Sequence, residues 1–206
     1  MTESRFSSGG GPKQAAGEKR ERILRAATKV FARKGFYATK VSEVAKAAGV
    51  ADGTIYLYFR NKDDLLVSLF EDRIDRLLLT LKRELEARPD AESRLRCVIE
   101  VQLGLLEGER DLAEVITVNL RQSTKLMKQY AAPKFALYLD LIAEVVSEGQ
   151  KGAVFREGVS PHVMARAIFG ALDGVTMTWA LGRADAGGLS RAATQVADVL
   201  LRGLLR

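Results

Sequence analysis

Apolar positions along this 206-residue chain recur every three to four residues, the period of an α-helix with one buried face. Ile23, Ala27, Val30 and Phe31 form such a stripe over about Glu18 to Lys34, and Gly35 closes it. Val41, Val44, Ala45 and Ala48 mark a short helix, and Ile55 and Phe59 a second one over Asp52 to Phe59. From Lys62 to about Ala87 the stripe Leu65, Leu66, Leu69, Phe70, Leu77, Leu78, Leu81 and Leu85 holds for six turns. Asp90 caps a helix carrying Leu95, Val98, Ile99, Gln102, Leu103 and Leu106. Leu112–Gln122 is a further helix, and Leu137, Leu141, Ile142, Val145 and Val146 stripe another that follows Pro133, where the helical pattern is interrupted. Ser160-Pro161 opens an almost wholly apolar helix to about Leu181, and Leu189 to Leu205 is the last. Few prolines and a low aromatic content agree with helices over strands. The expectation is an all-α chain of about nine helices.

Val41 to Lys62, VSEVAKAAGVADGTIYLYFRNK, organises the rest. Gly49, just past the last periodic residue of the first short helix, takes the left-handed conformation that stops a helix without strain. Val50 fills the corner and a second short helix begins. With Ile55 and Phe59 turned inward, Thr54, Leu57 and Tyr58 face outward and Tyr56 lies on the flank. A short helix with that outer face fits the major groove of duplex DNA. Gly53 removes bulk near its N-terminus, where the helix dipole favours phosphate. Asn61 caps the following helix with Asp63 and Asp64 in its first turn, and Lys62 is placed to meet a phosphate.

Charge sharpens this reading. The net charge is +6, yet residues 1–62 hold 13 basic and 5 acidic side chains and the remainder is slightly acidic. The surplus lies where a polyanion would bind, whereas a protein that packages DNA non-specifically would be basic along its length. Gly9-Gly10-Gly11-Pro12 and several serines make residues 1–17 a flexible tail; no Gly-Lys-Ser/Thr follows to make a phosphate loop. No run of 18 apolar residues predicts a membrane span, and the polar N-terminus lacks a secretory apolar region. The single cysteine, Cys97, has no intrachain partner, which fits the cytoplasm, and reads as a core residue. One histidine, His162, with no nucleophile or carboxylate placed beside it, leaves no catalytic constellation, so no enzyme is expected.

The residues Thr39, Val44, Ala45, Ala48-Gly49-Val50, Gly53-Thr54-Ile55-Tyr56, Tyr58-Phe59, Lys62 and Leu65 resemble the DNA-binding signature of TetR-type repressors. The resemblance implies an N-terminal three-helix helix-turn-helix domain over residues 18–63 and a helical ligand-binding and dimerisation domain over 64–206. The implied DNA-binding set is Lys40, Asp52, Gly53, Thr54, Tyr56, Leu57, Tyr58 and Lys62. Ala51 departs from the family, which usually places a Ser or Thr cap there, a loss of about 1 kcal/mol. Asp52 is the alternative cap, and its use would shift the base-reading register by one.

A weaker likeness extends further. GVADGTIYLYFRNKDDLLVSLF, LRQS at Leu120–Ser123 and IFGALDGVTMTW at Ile168–Trp179 resemble the TetR-type repressors of fatty-acid degradation. That implies a homodimer on a palindromic double-stranded DNA operator, released by long-chain acyl-coenzyme A, with no cofactor or metal. A family member responding to another apolar compound, a drug or lipid, is the alternative. Asn119, Arg121 and Gln122 interrupt the apolar run LAEVITVNLRQ; they either meet a ligand's polar end or pair with neighbouring helices or a second subunit. Leu103, Phe169 and Trp179 complete the pocket assignment. Gly170 and Gly174, four apart, admit close helix approach, so the last two helices are the expected dimer interface, or else they only close the subunit's own core.

Overall fold

The computed structural model describes residues 12–119, 132–182 and 188–205. Nine helices follow one another among them: α1 Pro12–Lys34, α2 Val41–Ala48, α3 Asp52–Ile55, α4 Lys62–Glu86, α5 Ala91–Gly104, α6 Arg110–Glu114, α7 Ala132–Lys151, α8 Pro161–Leu181 and α9 Gly188–Leu204. α6 continues into a π-helical stretch, Val115–Asn119. The described residues contain no strand, only a lone bridge between Phe155 and Leu205.

Two apolar cores organise the helices. The first gathers Ile23, Ala27, Val30 and Phe31 of α1 with Val44 and Ala45 of α2, Ile55 and Phe59 around α3, and Leu65, Leu66 and Leu69 of α4. The second holds Leu77 and Leu81 of α4 with the inward faces of α5, α7, α8 and α9. One unbroken α4 therefore serves both cores. Val115, at the start of the π stretch, is fully buried in the first core although it lies far along the chain.

The helix ends show why the boundaries fall where they do. Gly49 ends α2 at φ 64° and ψ 41°. Asn61 Oδ1 accepts the Asp64 N–H at 2.8 Å, and Asp90 Oδ1 accepts the Ser93 N–H at 2.8 Å, so both expected caps are in place. Ser160 stands before Pro161 in the N-cap position but makes no side-chain capping bond.

Some boundaries differ from expectation. α1 starts at Pro12, so part of the stretch read as a tail is helical. A proline is tolerated in a first turn, whose N–H groups have no intrahelical partner, and residues 14–19 are exposed throughout, leaving no apolar face for the pattern to register. Residues 1–11 lie outside the described residues. Pro133 sits in the first turn of α7, and residues 120–131 before it lie outside the described residues. The buried stripe of α7 includes Tyr138, which is fully buried, while Leu137 is 57% exposed. α3 is a single turn: the N–H groups of Leu57 and Tyr58 reach back only three residues, to Thr54 and Ile55, tightening Tyr56–Tyr58 into a turn.

Candidate DNA-binding and effector sites

α2 and α3 meet at Gly49–Ala51 and present one continuous outer face. Ile55 and Phe59 are buried under it. Tyr56 and Leu57 stand 57% and 81% exposed, Thr54 and Tyr58 are half-buried, and Lys40, Asp52 and Gly53 are exposed. A Cβ at Gly53 would meet nothing within 4 Å, so the backbone is bare on that side. Ala51 is the N-cap of α3, in extended conformation, and its carbonyl accepts the Thr54 N–H at 2.9 Å. Asp52 lies in the first turn and does not replace it, so the register does not slip.

Lys62 corrects an expectation. Its Nζ donates to the carbonyls of Phe36 at 2.8 Å, Tyr37 at 3.1 Å and Thr39 at 2.9 Å, and sits 4.6 Å from the centre of the Phe36 ring. An ammonium has three N–H donors, and here all three are engaged inside the domain. The residue ties the α1–α2 turn to the start of α4; it is not a free cation awaiting phosphate. On the same turn, the Lys40 N–H donates to Glu43 Oε2 at 3.0 Å. The salt bridge to Lys34, followed by that backbone bond, holds the Glu43 carboxyl below its ordinary range.

Asn119 corrects another. It is buried, and its Oδ1 accepts the Phe36 N–H at 2.8 Å, so its polar group faces the DNA-binding domain and not a ligand. Arg121 and Gln122 lie outside the described residues.

The ligand domain holds a cavity of about 100 Å³ between α4, α5, the π stretch after α6, α7 and α8. Phe70, Ile74, Leu77, Ile116, Phe135 and Phe169 give it apolar walls, with the rings of Phe135 and Phe169 edge-to-face at 4.6 Å. Phe169 thus stands where the sequence reading put it. Leu103 is fully buried in the core without lining the cavity. Trp179 is elsewhere: it lines an open groove between α8 and α9 with Gly170, Gly174 and Gly188.

The polar side chains on the cavity wall escaped the sequence reading of a ligand site, Arg73, Gln102 and Tyr138 among them. Burial pushes the Tyr138 phenol up, so it stays protonated and donates to Gln102 Oε1. Arg73 is 8% exposed and its Nη2 has no hydrogen-bond partner. Burial foremost, then the neighbouring Arg76, lowers its pKa to about 10 against the opposing pull of Glu109, which leaves it charged near neutrality. The available signal was a charge on an otherwise apolar stripe, since Arg73 lies three and four residues from Phe70, Leu69 and Leu77.

These features define a helix-turn-helix protein whose second domain holds an apolar cavity. Residues 23–69 match the model for bacterial regulatory proteins of the tetR family, and residues 70–203 that for the C-terminal region of YsiA-like proteins. The fatty acid metabolism regulator protein of Bacillus subtilis is 35% identical over 159 residues, covering 77% of this chain and 82% of that protein. The structure of B. subtilis FadR in complex with stearoyl-CoA superposes with a TM-score of 0.83 at 33% identity, covering 89% of this chain and 98% of the other. Bacillus halodurans FadR, a fatty acid degradation regulator, gives 0.85 at 33% identity over 97% and 100%. The chain belongs to the TetR family of transcriptional regulators, DNA-binding proteins and not enzymes.

Proposed function

We propose that this protein is a homodimeric repressor of fatty-acid degradation genes that leaves a palindromic operator when long-chain acyl-CoA enters the cavity. The observation carrying this is a largely apolar cavity, bounded on one side by a buried guanidinium, in a chain 33% identical to a regulator whose structure holds stearoyl-CoA. Site and target would both be cytoplasmic; among the described residues no helix is long and apolar enough to cross a membrane.

Size supports the coupling. A drug-sized ligand needs about 300–1,000 Å³, and the cavity offers about 100 Å³. A long acyl chain therefore enters only by parting the helices around it. α4 belongs to both cores, and the π stretch after α6 touches cavity and DNA-binding domain alike. Parting them changes the spacing of two recognition helices, and operator affinity falls by the resulting coupling free energy. The apolar groove between α8 and α9, two helices that also expose Leu181 and Val199, would be covered by the same groove of a second subunit.

The test is fluorescence anisotropy on a palindrome selected by the protein itself from random duplexes. Stearoyl-CoA releases the DNA, whereas coenzyme A alone does not. Unchanged affinity at saturating stearoyl-CoA, with release by some other apolar compound, would move the assignment to a different effector.

A further inference from the structure

Among the described residues, Arg73 is the one charged side chain that is buried. Its place on α4 is unusual. Phe70, Ile74 and Leu77 of that helix face the cavity. Leu69, Asp72 and Arg76 face a second, open cleft of about 480 Å³, bounded by Arg25 and Lys29 of α1 and by Glu109 beside α6. Arg73 lines both spaces, and its side chain is the wall between them. Asp173 lines the cavity without reaching the cleft.

A buried charge without a full set of partners is costly, and a buried N–H with no acceptor adds to that cost. The cleft does not supply the missing acceptor. Two of its carboxylates are engaged by Arg76, which bonds Asp72 at 3.0 Å and Glu21 at 3.4 Å, and Glu109 attracts the Arg73 charge without bonding Nη2. On the cavity side the neighbours on α4 are apolar, and Gln102, Thr117, Asp173 and Thr176 on the other walls do not bond Nη2. Nη2 therefore has no protein acceptor, and a ligand oxygen would supply one.

We propose that Arg73 is the head anchor of the effector site: its free N–H binds the first acceptor oxygen beyond an acyl chain lodged among Phe70, Ile74 and Leu77, and whatever follows that oxygen leaves through the cleft beside α1. This deepens the effector reading above and rests on it. The oxygen is that of a carboxylate or of a thioester, chemistries shared by a free fatty acid and an acyl-CoA. An occupied cleft also puts the head against α1, the first helix of the DNA-binding domain.

Isothermal titration calorimetry on the full-length dimer tests this with two probes, stearate and stearoyl-CoA, against wild type, Arg73→Met and Arg73→Gln. Both variants lose at least tenfold in affinity for a probe that wild type binds, the size of one charge-assisted hydrogen bond. Loss for stearate alone identifies a carboxylate as the acceptor, and loss for stearoyl-CoA alone a thioester. Without ligand, Arg73→Met melts no lower than wild type, because an unpaired buried charge has been removed. A purely structural arginine would instead lower the melting temperature and leave affinity unchanged. Should Arg73→Met not fold, Arg73→Gln decides, since it keeps a donor and loses the charge. Wild-type affinity in the folded variants overturns the anchor and leaves the effector reading standing. Wild type that binds neither probe overturns both.

Discussion

Asn119 Oδ1 accepts the Phe36 N–H at 2.8 Å, joining residues 83 apart in the chain. Asn119 closes the π stretch after α6, and Phe36 lies in the turn between α1 and α2. Within those five residues Val115 is buried in the DNA-binding core, Ile116 and Thr117 line the effector cavity, and Asn119 holds Phe36. π-helical turns recur at functional sites because the extra residue re-aims side chains that a regular helix would set elsewhere. Here one turn touches the cavity and the domain it would control.

Asn119→Ala leaves the Phe36 N–H buried without an acceptor. Chemical denaturation should show a loss of about 1–3 kcal/mol. In an operator-release titration, the variant should need more stearoyl-CoA for the same release, since one of the ties between cavity and DNA-binding domain is cut. Full stability with an unchanged release curve would remove this bond from the coupling.

Lys62 and Tyr56 separate support of the recognition helix from contact with DNA. Lys62→Met removes three hydrogen bonds to backbone carbonyls and the contact over Phe36, and it should cost about 1–2 kcal/mol of stability, discounted for partial exposure. Its DNA affinity falls with that loss. Tyr56→Ala, at an exposed position, should keep stability within about 0.5 kcal/mol. It should still weaken operator binding about tenfold, roughly one lost contact. A thermal melt beside a binding isotherm distinguishes the two; equal melting of both variants would contradict the structural role given to Lys62.

Gly149, near the end of α7, has no room for a methyl group. A Cβ there would lie 2.1 Å from Cδ2 of Phe155, a fully buried ring, and the Gly149 carbonyl accepts the N–H groups of Val154 and Phe155. Gly149→Ala should destabilise by at least about 1–3 kcal/mol, despite alanine's higher helix propensity. A stabilised variant would mean that Phe155 packs differently from its position here.

Gly174 is the opposite case. A Cβ there meets nothing within its own subunit, yet the residue lines the α8–α9 groove. Gly174→Leu should shift sedimentation toward the monomer and weaken operator binding, because a palindrome is read by two joined recognition helices. A variant that remains dimeric at micromolar concentration would place the subunit interface elsewhere.

Much of the architecture was legible because it is local. The stripes of α1, α4 and α5 name their buried residues directly, and Asn61, Asp90 and Gly49 mark helix ends through bonds to their near neighbours. The reading was poorer where a helix has no apolar contrast, as in the exposed first turns of α1, or where a stripe admits two rotations, as at Leu137 and Tyr138. The polar break at Asn119 was recognised, but a ligand and an intramolecular partner stayed open until the bond to Phe36 was seen. Arg73 went unremarked because a lone arginine on a long helix usually snorkels to solvent.

Sequence by itself determined the helical class, the helix-turn-helix and the inward residues of the recognition helix, since periodicity and capping chemistry are properties of neighbours in the chain. Only the tertiary structure decided that Lys62 points inward, that Asn119 binds Phe36, that Trp179 belongs to a groove apart from the cavity, and that Arg73 divides two spaces. Each of those depends on which distant helix lies opposite a side chain, and the angle at which two helices cross is set by the packing of both surfaces together.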